Sequence, residues 1–233
     1  MAKSFTNLGA TIVDTVADLP TASASLEGLL YYQKDTNELK ICDGSRWISM
    51  LDTDSPPGLV LMNPTSVSGA TNTNGLITFS SSTSININGV FSSTFSAYRI
   101  YSWFYTGSSS VNNGTFKLTN AGTANSASYY ARMWYYSQGG GGFTTAVSNN
   151  ASSVDWMFYG GNLGGSVNID ISQPYNSTQT TWMWNSNTWT TADNAMFYGG
   201  GFHNVSANYD GFQITTPTAM TGRIQIYGYR DSI

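Results

Sequence analysis

The chain has 233 residues, among them 31 Ser, 28 Thr, 21 Asn and 24 Gly, while only 22 residues carry a formal charge and 33 are aromatic. The polar three compete for backbone hydrogen bonds and glycine loses the most entropy on ordering, so a helical bundle is excluded. Scarce charge alone would suit a disordered chain, but this many Phe, Trp and Tyr bury enough apolar area to offset the ordering entropy.

The net charge of −4 is carried by residues 1–58, which hold four Lys/Arg against eight Asp/Glu; residues 59–233 hold five of each sign. No basic stripe is available to neutralise phosphates, so no nucleic-acid partner is expected. No run approaches the ~18 apolar residues of a membrane span, and no membrane insertion is expected. The start, Met1-Ala2-Lys3-Ser4-Phe5-Thr6, has no apolar leader region. A single cysteine, Cys42, excludes an intrachain disulfide framework.

In chain order, residues 17–26 suit one helical turn at most. Residues 29–33, 39–42 and 46–50 then read as three short strands around turns at Asp35-Thr-Asn-Glu38 and Asp43-Gly44. This three-stranded β-meander over 29–50 is small and needs a neighbour for stability. Residues 51–58, Leu-Asp-Thr-Asp-Ser-Pro-Pro-Gly, read as a linker, because two prolines cannot donate to a ladder. The expected organisation is an N-terminal attachment module over 1–50, the linker 51–58, and a knob over 59–233.

Beyond the linker, period-two alternation recurs at 76–79, 84–88, 115–118, 167–171 and 223–227, each run bounded by Gly, Asn or Ser. That spacing predicts an all-β fold, a β-sandwich or jelly roll. Two strands carry bulk on both faces. One sets Tyr98, Ile100 and Phe104 against Arg99, Tyr101, Trp103 and Tyr105; the other sets Tyr129, Met133 and Tyr135 against Tyr130, Arg132, Trp134 and Tyr136. The outer sets need a cover: a loop, the small module, or a subunit interface, where Tyr, Trp and Arg are enriched. Arg99 and Arg132 are expected to stack on aromatic rings. The echoes Met157-Phe-Tyr-Gly-Gly161 and Met196-Phe-Tyr-Gly-Gly200 read as apolar strands ending in glycine turns.

Catalytic supply is poor, and no catalytic residue, metal ligand or cofactor is assigned. His203 is the only histidine, in a glycine-rich segment that suggests a surface position. The knob has five aspartates and no glutamate, so the carboxylate pair of a glycosidase would have to converge from distant positions. One segment suits binding. Trp182 and Trp184 share a strand face, Asn185-Ser-Asn187 is expected to turn, and Trp189 lies just beyond. Indole faces beside amides suit a glycan, while large aromatics equally serve as core.

With these residues laid out, a resemblance emerges. Leu19-Pro20, Glu27-Gly28, Tyr31-Tyr32, Asp35-Thr36-Asn37, Leu39, Asp43-Gly44-Ser45 and Trp47 resemble a small module of bacteriophage tail-fibre and other virion proteins. Thr221-Gly-Arg-Ile-Gln-Ile-Tyr-Gly-Tyr229 is similar to the last strand of phage fibre-tip and decoration domains. The resemblance implies a virion structural protein, assembled in the host cytoplasm and often trimeric. Its residues 1–50 would contact other virion proteins while the knob projects outward, where the tryptophan segment makes a host-surface glycan a candidate partner. A tail-fibre-like receptor-binding protein is the first reading, a capsid decoration or head-fibre protein the second, and a polysaccharide-degrading spike the third. No shaft or coiled-coil heptad separates module from knob, so the chain reads as a knob on a short stem.

Overall fold

The computed structural model describes residues 11–49, 58–107, 112–137, 142–191 and 194–230. The chain divides into two compact units on either side of the Pro56–Pro57 step. Met50 and most of the expected linker, 51–57, lie outside the described residues, while Gly58 already belongs to a strand.

The first unit is a four-stranded sheet of β1 (Thr11–Val13), β2 (Leu30–Gln33), β3 (Glu38–Cys42) and β4 (Trp47–Ser49), in that spatial order. The expected meander is present, with one strand more: β1 pairs parallel to β2. Single 3-10 turns at Val16–Asp18 and Ala24–Leu26 carry the crossover. The side chains quoted for the phage-module resemblance hold this sheet together. Trp47 Nε1 donates to the Pro20 carbonyl at 2.7 Å, and its ring meets Tyr31 edge-on at 4.8 Å. Tyr32 donates to the Asn37 side chain, and Asn37 takes the left-handed conformation (φ 58°) that closes the β2–β3 turn. Asp43 accepts from the Ser45 and Arg46 amides at 2.8 Å each, and these bonds, with the Ser45 hydroxyl, lower its carboxyl to about 2.

The second unit is a 14-stranded sheet. Its strands are β5 (Gly58–Leu61), β6 (Ser66–Ser68), β7 (Thr71–Thr73), β8 (Leu76–Asn88), β9 (Ala97–Thr106), β10 (Asn112–Asn120), β11 (Thr123–Ala124), β12 (Tyr129–Ser137) and β13 (Gly142–Ala151). There follow β14 (Val154–Gly160), β15 (Gly164–Ser172), β16 (Thr180–Trp189), β17 (Asn194–His203) and β18 (Gly211–Arg230). The 20-residue β18 is the spine. Along one edge it pairs with β8 and then β5; along the other, its first half pairs with β10 and its second half with β9. Register shifts between Thr215 and Gly222 let the spine bend. Pro217 stands within this stretch, where no ladder donor is needed.

The spine therefore carries two layers. One runs β9-β15-β16-β17-β12-β13, and the other is β10 with β14 on its far edge. β14 packs across the inner side of β15 and β16, which makes the unit a sandwich. Between the layers Phe104, Phe158, Phe116, Phe212, Phe91 and Tyr98 form a continuous file of rings, with successive centroids 4.8–6.4 Å apart. The all-β expectation is met.

His203 is not on the surface. It closes β17 fully buried, with Nδ1 3.1 Å from the Tyr209 hydroxyl and Nε2 2.8 Å from the Ala127 carbonyl. The Tyr129 ring lies 4.4 Å away, its hydroxyl accepting from the Leu118 amide and donating to the Asn125 carbonyl. The glycines before His203 are strand residues, so the alternation carries the imidazole inward rather than out on a loop. Burial lowers the imidazole below its usual value, although the Ala127 carbonyl works the other way. The unfolded chain then takes up this proton first as pH falls. Stability from the neutral imidazole is complete above about pH 6.5 and is lost as pH falls through the lower folded value. The urea midpoint is expected to decline from pH 7 to about pH 5 in the wild type, and much less in His203→Gln; parallel declines would refute this.

Candidate functional site

The strands with bulk on both faces resolve by alternation. Tyr98, Ile100 and Phe104 of β9, with Tyr129, Ala131 and Met133 of β12, enter the core. Arg99, Tyr101, Trp103 and Tyr105 of β9, and Tyr130, Arg132 and Trp134 of β12, stand on the outer face. The side chain of Tyr136 lies outside the described residues. Trp103 is 40% exposed and Trp134 53%, so among the described residues no strand of the unit covers either ring.

The tryptophan segment divides between the two faces, which corrects the grouping expected for a binding site. Trp182 and Trp184 are buried at 3% exposure each, whereas Asn185, Asn187 and Trp189 lie on the outer face. Asn185-Ser-Asn187 makes no turn, because β16 runs through it. Ser186 points inward, and the two amides bond across to β15 instead. Asn185 accepts from Asn168 at 3.2 Å, and Asn187 accepts from the Ser166 hydroxyl at 2.9 Å.

The burial of Trp184 explains Gly199, and the close approach of the β12 backbone explains Gly201. In the β16–β17 register Trp182 faces Gly201 and Trp184 faces Gly199. A Cβ on Gly199 would fall inside the van der Waals envelope of the Trp184 ring, and one on Gly201 would strike the Tyr130 carbonyl. The expected glycine turn after Met196-Phe-Tyr is therefore a strand interior that seats the Trp184 indole and lets β12 approach closely. The other echo behaves as expected, with β14 ending at Gly160. Both indole N–H groups are buried without a hydrogen-bond partner among the described residues, so packing holds them.

On the outer side Gly200 leaves the sheet bare. Around it lies a depression of about 670 Å³, walled by Trp134, Tyr198, Met183, Asn185, Asp170 and Thr181. Trp134 pairs in register with Tyr198, and Tyr198 with Asn185. Tyr130 and Phe202 stack nearly parallel beside it, with centroids 5.0 Å apart. A second depression, of about 520 Å³, lies at Trp103, Arg223, Thr78, Phe79 and Thr221 on the β9–β18 side. Sequence reasoning missed Met183, Met196, Tyr198 and Phe202. Extending the period of two through the glycines of β17 is the signal that finds the last three.

The charges on this face are few. Arg99 donates to both Asp170 oxygens, at 2.8 and 2.9 Å, and the Tyr229 hydroxyl adds a third bond at 2.8 Å. Burial opposes ionisation of Asp170, but these donors outweigh it and hold its carboxyl below the usual range. Arg99 stacks on an aromatic ring, but that of Tyr229 on β18, 5.6 Å away, which is not one of the β9 and β12 rings expected. No group of three His, Cys, Asp or Glu side chains suited to a metal ion is found among the described residues. Nor is any helix there long and apolar enough to cross a membrane.

Fold and face together define an all-β protein with an open aromatic sheet surface. No protein-family model matches the chain, and no curated protein sequence matches it. Among the solved structures that match in part are the following two. The CBM2 module of the evolved Dit of Lactobacillus casei BL23 phage J-1 is 13% identical, with a TM-score of 0.22, over 77% of this chain and 94% of that one. The SPRY domain of human HERC1 is 12% identical, with a TM-score of 0.22, over 68% of this chain and 96% of that one.

The two faces of β16 and β17 respond differently to substitution. Trp184→Ala is expected to cost about 3–5 kcal/mol, as large core truncations do. Gly199→Ala overpacks the same spot and should cost about 1–3 kcal/mol. At Gly200 an added Cβ meets its nearest atom, the Trp182 carbonyl, at 3.3 Å, so Gly200→Ala should stay within about 1 kcal/mol. Urea denaturation compares all three. Equal costs at 199 and 200 would refute the seating argument.

Proposed function

We propose that this chain is a bacteriophage virion adhesion protein, tail-fibre-like, whose knob holds a host-surface glycan on the outer face of β12, β17, β16 and β15. One observation carries the reading: Trp134 and Tyr198 rise in register over a glycine floor, with the Asn185 amide and Met183 beside them. Flat rings stack on the C–H faces of a sugar, and the amide supplies direction through hydrogen bonds. The phage-module resemblance of residues 19–47 supports the virion assignment, with the acidic N-terminal unit as the attachment piece. A trimer, which the resemblance implies, would present three such faces and raise avidity even where each holds its glycan weakly.

The proposed activity is adhesion without cleavage. A glycosidase needs one carboxyl kept protonated as the acid. Asp170, the carboxylate beside the depression, is instead held ionised by Arg99 and Tyr229.

The test is binding of the full chain to an array of bacterial surface polysaccharides. Trp134→Ala and Tyr198→Ala should each weaken binding about tenfold or more, as aromatic anchors do, with the denaturation midpoint unchanged. Binding that survives both substitutions would overturn the assignment of this face.

A further inference from the structure

The charged side chains on the outer face are unevenly matched. Among the described side chains of β12, β17, β16, β15, β9 and the second half of β18, they are Arg132, Arg99, Arg223 and Asp170. Asp170 is taken by Arg99 in a two-pronged pair. Arg132 and Arg223 are both exposed and have no carboxylate partner among the described residues. Two unmatched cations thus stand on the outer face of a unit whose sequence is net neutral.

Arg223 lines one depression beside an aromatic ring, and Arg132 is the register neighbour of Gly200, which lines the other. Arg132 follows Tyr130 and precedes Trp134 on the same side of β12, and its register partner on β17 is Gly200. Glycine has no side chain, so none intervenes between the Arg132 position and the 670 Å³ depression. Arg223 pairs in register with Trp103 and lines the 520 Å³ depression directly. Five strand spacings separate β12 from β18, about 24 Å across the sheet. A guanidinium presents a planar fork that matches a carboxylate, and it keeps its charge at any physiological pH.

Building on the glycan reading above, we infer that the polysaccharide held by this face is acidic, a chain bearing carboxylates that meets Arg132 at one depression and Arg223 at the other. The rings stack on its sugar faces, and the two guanidinium groups fix its register. Two cations are too few for a nucleic-acid backbone, with its phosphate on every nucleotide, but suit a polymer charged once per repeat.

The experiment measures binding of the full chain to polygalacturonate, alginate and polysialic acid, each beside its carboxyl-reduced form, at low and high salt. At least one acidic polymer should bind, with its reduced form weaker by about tenfold or more. Arg132→Gln and Arg223→Gln should each weaken binding severalfold and flatten its salt dependence, with the denaturation midpoint unchanged. Arg132→Lys should recover the salt dependence but only part of the affinity. Reduced polymers that bind as well as acidic ones would overturn the acidic assignment and leave the glycan face standing. No binding to any polymer, acidic or reduced, together with a blank polysaccharide array, would overturn both. Binding of oligo(dT) in preference to every acidic polymer would overturn the choice of a polysaccharide.

Discussion

Trp182 and Trp184 fill the inner side of β16 opposite Gly201 and Gly199, and each of those glycines is a place where no side chain fits. The pairing runs along two of the central strands of the broad layer. It fills the core beneath them, and it leaves the bare patch at Gly200 on the other side. A strand with glycine at 199, 200 and 201 would ordinarily be weak, because it has little side chain to pack. Here the neighbouring strand supplies that missing volume on one face. The shortage on the other face becomes the depression ringed by Trp134, Tyr198 and Met183. The core and the proposed binding surface are two sides of one steric solution.

Much of this was legible in the sequence wherever one residue type repeats with period two. The alternation of β9, and of β12 as far as Trp134, separated inward from outward residues as the structure has them, and the all-β class followed from composition and turn signals. The failures share a cause. Glycine signals turns when read locally, so β17 was cut short at its Tyr-Gly-Gly and His203 was set on a loop. Asn-Ser-Asn signals a turn as well, yet in β16 the amides bond across to β15. Both misreadings come from contacts between residues on different strands, which a local pattern does not contain. β1 was missed for a simpler reason: three residues are too few to show a period.

The N-terminal unit is the reverse case, since there the motif carried more than its pattern explained. The quoted residues are the ones that bond across the small sheet: Trp47 to the Pro20 carbonyl, Tyr32 to Asn37, and Asp43 to the turn it caps. With few buried residues among those described, the unit relies on such directed contacts. Its Leu-Pro, Asp-Thr-Asn and Asp-Gly-Ser-x-Trp signatures are therefore structural before they are functional.

The spine has a consequence for how the chain folds. β18 lies between β8 on one edge and β9 and β10 on the other, yet it is synthesised after all of them. Until residues 211–230 leave the ribosome, β8, β9 and β10 have unpaired edges, and the file of phenyl rings has no Phe212. Closure depends on contacts distant in sequence, which makes folding slow and exposes aggregation-prone edges meanwhile. The Ser, Thr and Asn set between the apolar positions of β8 and β10 keep those waiting strands less sticky than an unbroken apolar run. The composition that suits the finished surface also protects the chain before it is finished.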